Sequence, residues 1–128
     1  MSRISGYSIK EIKANPIRTA ASYAARTGAV VVQKDACTVT ASPEGEIYIN
    51  ESGNSGMGTA GSGDVLAGVI AGVLSSLHKK PVLSTAEMAA IGVYLHGLAG
   101  DIAAERTGEC GMKAGDIAEA LPAALKDL

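Results

Sequence analysis

The apolar positions of the chain fall into blocks whose period changes, and those changes predict the elements. The first dozen residues are polar and mixed and carry no regular period. Asn15 and Pro16 then read as a helix start: the Asn side chain can accept from a free first-turn N–H, and proline suits the first helical position. Ile17, Ala20, Ala21, Ala24 and Ala25 recur at helical spacing until Gly28, a residue that ends helices in a left-handed conformation. Residues 29–33 (AVVVQ) form a β-branched run that predicts a buried strand. Residues 37–41 (CTVTA) predict a second strand, Ser42, Pro43, Glu44 and Gly45 a turn, and residues 46–49 (EIYI) a returning third strand. All periodicity breaks over residues 50–63, where Asn50, Gly53, Asn54, Gly56, Gly58 and Gly61 allow unusual backbone angles. From about Ser62 to Ser76 an apolar run (Val65, Leu66, Val69, Ile70, Val73, Leu74) predicts a helix apolar nearly all round, and therefore buried. Residues 78–81 read as a loop. Ser84 with Glu87 makes a capping box for a long helix running to about Arg106, and residues 116–125 predict a last short amphipathic helix. Without a repeat, linker or low-complexity tract, residues 1–128 read as one α/β unit.

Composition narrows the partners. Hydrophobic residues at 47% and charged residues at 19% suit a folded chain and argue against disorder. The net charge of −2 offers no basic field for nucleic acid or an anionic membrane. The only aromatics are four tyrosines, so there is no platform for stacking bases. Cys37 and Cys110 have no C-x-x-C spacing, which argues against a zinc site or disulfide framework and for reduced thiols in the cytoplasm. The polar stretch after Met1, with Arg3 and Lys10, lacks the apolar core of a signal peptide, and no apolar run reaches the length of a membrane span.

The candidate chemistry lies in residues 50–68, NESGNSGMGTAGSGDVLAG. A glycine-rich loop entering a helix is an anion trap, because the first helical N–H groups are unpaired, the dipole is positive there, and absent side chains admit a phosphate. Gly61, Ser62 and Gly63 can aim several N–H groups at one point, with Asp64 beside them in the first turn. Asp64 has two readings. It can merely complement the helix dipole, for about 0.3–1 kcal/mol, or it can take a proton from a hydroxyl that attacks a phosphoryl group held in the hole. Gly56, Gly58 and Gly61 also satisfy G-x-G-x-x-G, but no strand leads directly into them and no acid-tipped strand follows. No G-x-x-x-x-G-K-[ST] occurs, and the sequon at Asn50, Glu51 and Ser52 has no secretion signal to make it relevant.

Residues 56–76, GMGTAGSGDVLAGVIAGVLSS, resemble the ribokinase-like superfamily. With VVVQKDACTVTASPEGEIYIN upstream and AAIGVYLHGLAGDIAAERTGECGMKAGDIAEALP downstream, the chain resembles the ADP-dependent NAD(P)H-hydrate dehydratase family over nearly its whole length. The resemblance implies the C-terminal half of a three-layer α/β/α domain with a mostly parallel sheet. It also implies a reaction in which hydrated NAD(P)H is phosphorylated from ADP, leaving AMP, and phosphate is then eliminated, with Mg2+ bridging the nucleotide phosphates. Carried over residue by residue, Asp64 contacts the hydrated substrate and acts as base. Gly61, Ser62 and Gly63 form the anion hole, and Gly63 also touches the nucleotide. Lys34, Asp35, Ala36, Cys37 and Thr38 match a K-G-x-x-T segment near the adenine nucleotide, and Asn50, Gly53 and Asn54 match an N-x-x-G-N substrate loop. Asp35 stands where the family has Gly, which brings a carboxylate toward phosphate or asks for a different backbone angle. The family's histidine-proline-glycine-glutamate segment belongs just before Met1. The resemblance therefore implies that the N-terminal half must be supplied, or that the chain self-associates, and that it is inactive alone.

Other residues have plainer readings. Lys34 can neutralise phosphate or end a strand in solvent. His96, among Val93, Tyr94, Leu95 and Leu98, reads as a hydrogen-bonded packing histidine; His78, Lys79 and Lys80 read as a solvated loop. Cys110 has no basic neighbour in sequence to activate it, and Met57 either lines the site or fills a gap. A small-molecule kinase fragment, of the hydroxymethylpyrimidine or hydroxyethylthiazole type, and a non-catalytic nucleotide-binding remnant are the competing functions.

Overall fold

The computed structural model describes residues 1–77 and 82–126; the loop expected at 78–81, with His78, Lys79 and Lys80, lies outside them. The polar N-terminus, which carries no regular apolar period, holds two short helices, α1 (Ser2–Ser5) and α2 (Ile9–Ala14). Ser8 starts α2 through a reciprocal capping box with Glu11. Helix α3 (Pro16–Thr27) starts and stops as its sequence predicts: the Asn15 side chain accepts from the Arg18 N–H at 3.1 Å, and Gly28 closes the helix at φ 68°.

Strands β1 (Val31–Gln33), β2 (Thr38–Ala41) and β3 (Ile47–Asn50) form a sheet in that order, with Val32 opposite Thr40 and Thr40 opposite Tyr48. Both pairings are antiparallel, so the parallel geometry implied by the resemblance is absent among the described strands. Connections this short admit only antiparallel neighbours. Strand β2 is buried throughout, but Val31 and Val32 of β1 are only half-buried. The expected buried strand is thus an edge strand, covered on fewer sides than its composition suggests.

Alternation along β2 divides the layers. Val39 and Ala41 pack with Ala20 and Ala24 of α3, while Thr40 lines a small cavity with Ala90 and Val93 of the long helix α5 (Thr85–Thr107). Helix, sheet and helix make three layers. Beyond α5 lie α4 (Ser62–Leu77) and α6 (Ala114–Lys126), which pack with it around Leu95, Ala99, Ala103, Ile117 and Ala120. Gly92 permits the α4–α5 crossing, because a Cβ there would sit 3.0 Å from the Ile70 Cα.

Helix α4 departs from expectation. Only Ser62 and Leu66 are buried, and Ala67, Gly68, Ala71 and Gly72 are exposed. The apolar composition is real, but the described residues cover only the side facing α5 and α6.

Candidate active site

The loop after β3 folds back onto α5 through Ser52, Asn54 and Asp101, of which only Asn54 belongs to a matched motif. Asp101, in the middle of α5, accepts from the Gly53 N–H at 2.9 Å and from the Asn54 side-chain amide at 3.0 Å. The same amide donates to the Gly100 carbonyl, and the Asn54 side-chain oxygen accepts from the Gly56 N–H, starting a 3-10 turn over Ser55–Gly58. Ser52 donates to the Tyr94 carbonyl and the Asn50 side chain, and Asn50 donates back to the Ser52 carbonyl. The loop approaches closely because α5 has no side chains in its way: a Cβ on Gly97 would overlap Ser52, and one on Gly100 would overlap Met57. Met57 is buried against this helix and also lines the cleft, combining both readings of it. The signal for Asp101 was present in the sequence as a carboxylate standing alone in the apolar run of residues 97–104.

Between this loop and the β1–β2 connection lies a cleft of about 360 Å³. Lys34, Asp35, Ala36, Thr38, Asn50, Gly53 and Asn54 line it together with Leu66 and His96, and Thr38 and Asn50 are neighbours across β2 and β3. Seven positions assigned from sequence to nucleotide or substrate therefore meet around one space. Cys37 is exposed and does not line it. Asp35 keeps a negative φ and turns its carboxylate onto the Ala36 N–H at 2.9 Å, so its place after Lys34 needs no left-handed backbone. The side-chain amides of Asn50 and Asn54 are already engaged by the protein, which fixes the loop's backbone in place.

Residues 61–64 sit beside this cleft rather than in its lining. Gly61 has φ 87° and α4 starts at Ser62, with Asp64 exposed in the first turn. The Ser62 N–H turns back to the Thr59 carbonyl at 3.3 Å and the Asp64 N–H to the Gly61 carbonyl at 3.0 Å, whereas the Gly61 and Gly63 N–H groups bond to no described residue. Ser62 itself is buried against His96, whose Nε2 lies 3.0 Å from the Ser62 carbonyl and 3.4 Å from its hydroxyl. Burial holds the His96 pKa below its ordinary value. The charge of Lys34 adds to that effect, and the bond to the Ser62 carbonyl opposes it. His96 is thus the hydrogen-bonded packing residue its position suggested.

No helix among the described residues is long and apolar enough to cross a membrane. Three-dimensional likeness and sequence likeness point the same way. The fold matches the ADP/ATP-dependent NAD(P)H-hydrate dehydratase from Bacillus subtilis, crystallised with ATP and Mg2+, with a TM-score of 0.89 and 28% identity over 98% of this chain and 44% of that one. A ribokinase-like superfamily protein from Enterococcus faecalis matches with a TM-score of 0.79 and 34% identity, over 98% of this chain and 40% of that one. The bifunctional NAD(P)H-hydrate repair enzyme of Moorella thermoacetica is 47% identical over the whole of this chain, which spans 23% of that enzyme. The ADP-dependent (S)-NAD(P)H-hydrate dehydratase of Neisseria meningitidis is 43% identical over 92% of this chain and 38% of its own length. The chain therefore spans less than half of each of these relatives. Residues 1–123 match the family described as NAD(P)H-hydrate dehydratase, so with its three-layer fold and its glycine loop the chain belongs to that family.

Proposed function

We propose that the chain supplies the C-terminal half of an ADP-dependent (S)-NAD(P)H-hydrate dehydratase site, and that catalysis requires the other half of the domain. The observation that carries this reading is the cleft: residues of the segment matching the family's nucleotide motif and of the loop matching its substrate motif line one space. The 61–64 turn adds two backbone N–H groups without a partner among the described residues, at a helix N-terminus beside an exposed carboxylate.

The residues divide the work. Lys34 offers a positive charge to the phosphates of ADP. The Gly61 and Gly63 N–H groups receive the phosphoryl group in transfer. Asp64 accepts the proton of the substrate hydroxyl as its oxygen bonds to the β-phosphorus of ADP and AMP leaves. Loss of phosphate from the phosphorylated carbon, together with a proton from the adjacent carbon, then restores the nicotinamide double bond. Among the described residues no three His, Cys, Asp or Glu side chains gather as a metal site. A Mg2+ would thus be held chiefly by the nucleotide's own phosphate oxygens, whose charge it neutralises.

The test pairs the purified chain with a separately expressed N-terminal half of the dehydratase domain. NADH absorbance should return from hydrated NADH only when both pieces and ADP are present. A folded complex of the two pieces with no ADP-dependent turnover would overturn the activity. An enzyme-like rate from the chain alone would overturn the need for a partner.

A further inference from the structure

We propose that His96 is the positioning residue of the 61–64 turn: as a neutral imidazole protonated on Nε2, it donates to the Ser62 carbonyl and thereby sets where the Gly61 and Gly63 N–H groups point. The functional importance of this inference rests on the anion-binding reading of that turn.

The geometry fixes the tautomer. A carbonyl oxygen can only accept, so at 3.0 Å from the Ser62 carbonyl the Nε2 atom must carry hydrogen. The imidazole is held neutral by its burial and by Lys34, and a helix N-terminus is a poor place for a second positive charge. His96 and Ser62 are 4% and 1% exposed, so water does not compete for this bond.

The bond fixes one side of the turn. Ser62 is the first residue of α4, and its carbonyl and hydroxyl both face His96 on α5. On another side, a Cβ at Gly61 would lie 3.1 Å from the Ala114 Cβ of α6. The first turn of α4 is therefore located between two other helices, and the two glycine N–H groups have no partner among the described residues. Without the His96 donor, the turn keeps its contact with α6 and its place in α4 but loses the bond that fixes the Ser62–Gly63 peptide, and with it the direction of the Gly63 N–H.

The test uses the isotope-labelled chain and inorganic phosphate as probe, read by NMR. In the parent, phosphate should shift the Gly61 and Gly63 amides saturably, and His96 should show the Nε2–H tautomer. His96→Leu removes the donor: microsecond-to-millisecond conformational exchange, read as line broadening at the Gly61 and Gly63 amides, should rise without ligand, and phosphate should bind about tenfold more weakly. His96→Gln returns an amide donor and should bring phosphate affinity back to within about threefold of the parent. Ala24→Gly, in the core on the other side of the sheet, controls for lost stability and should leave phosphate binding unchanged. Should His96→Leu fail to fold, His96→Asn replaces it, because its shorter amide falls short of the Ser62 carbonyl while that of Gln reaches. Glycine-amide exchange in the donor-less variant equal to that of the parent would overturn the proposal. Raised exchange in a chain whose parent form ignores phosphate would uphold the positioning role and defeat the anion-binding reading instead.

Discussion

The Asp101 carboxylate accepts from the Gly53 N–H at 2.9 Å across 48 residues of sequence, joining the middle of α5 to one wall of the cleft. Gly53 holds φ 104°, a conformation other residues rarely adopt, and the second carboxylate oxygen engages Asn54. Asp101→Ala leaves the half-buried Gly53 N–H without its acceptor and the Asn54 side-chain amide with the Gly100 carbonyl alone. The expected loss of stability is about 1–3 kcal/mol. Denaturant melts and amide exchange at Gly53 measure it; exchange as slow as in the parent would mean that Asp101 does not hold the loop.

Glycines on two helices should respond oppositely to alanine. At Gly97 a Cβ would lie within 2.8 Å of the Ser52 backbone carbonyl carbon, and backbone cannot step aside as a side chain does. Gly97→Ala should cost about 1–3 kcal/mol through overpacking. Gly72 on α4 meets nothing within 4 Å and is exposed. Gly72→Ala should gain up to about 1 kcal/mol from helix propensity. Thermal melts of the two variants that moved in the same direction would contradict this packing of the loop on α5.

What the sequence made legible follows from how local each cause is. The Asn15–Pro16 start, the Gly28 stop and the Ser84–Glu87 box act within one turn, and each stands where the pattern puts it. The Ser8–Glu11 box is as local, yet it caps a helix too short to show a period, so α2 escaped notice. Burial of α4 and β1 could not be read in the same way. Apolar composition records what a surface is suited to meet, while burial depends on which elements cover it. The site divides likewise. Motif spacing brought Lys34, Asp35, Ala36, Thr38, Asn50, Gly53 and Asn54 to one cleft. Asp101 and Ser52 act through contacts 42 to 48 residues distant, which no local pattern records.

Asp64 separates chemistry from capping. It is exposed in the first turn of α4, so Asp64→Asn should leave the fold intact and cost little stability. In the reassembled two-piece enzyme the same change removes the base and should lower turnover about 10²–10⁴-fold. Turnover within a few-fold of the parent, with an unchanged melting temperature, would return Asp64 to the role of helix-dipole partner.

The uncovered surfaces predict association. Strand β1 pairs only with β2, so its outer edge presents unpaired backbone groups among the described residues. Helix α4 exposes Ala67, Gly68, Ala71 and Gly72, and beside it Val69, Val73, Ile91, Leu95, Leu121 and Leu125 line an apolar groove of about 430 Å³. In the proposed enzyme the other half of the domain covers these surfaces; in the chain alone a second copy is the available cover. An interface of about 1,000 Å² suffices for a specific pair, and at about 25 cal/mol per Å² of apolar area its burial opposes the entropy of association. Sedimentation of the isolated chain should therefore show a concentration-dependent dimer or larger species. Ala71→Glu places a charge on the exposed face of α4 without touching the cleft, and should shift the chain toward monomer, with a melting temperature that no longer depends on concentration. Addition of the N-terminal half should dissolve the self-associated species into a one-to-one complex. A monomer at every concentration, indifferent to that partner, would show that these surfaces are content in water and that the chain is stable without further cover.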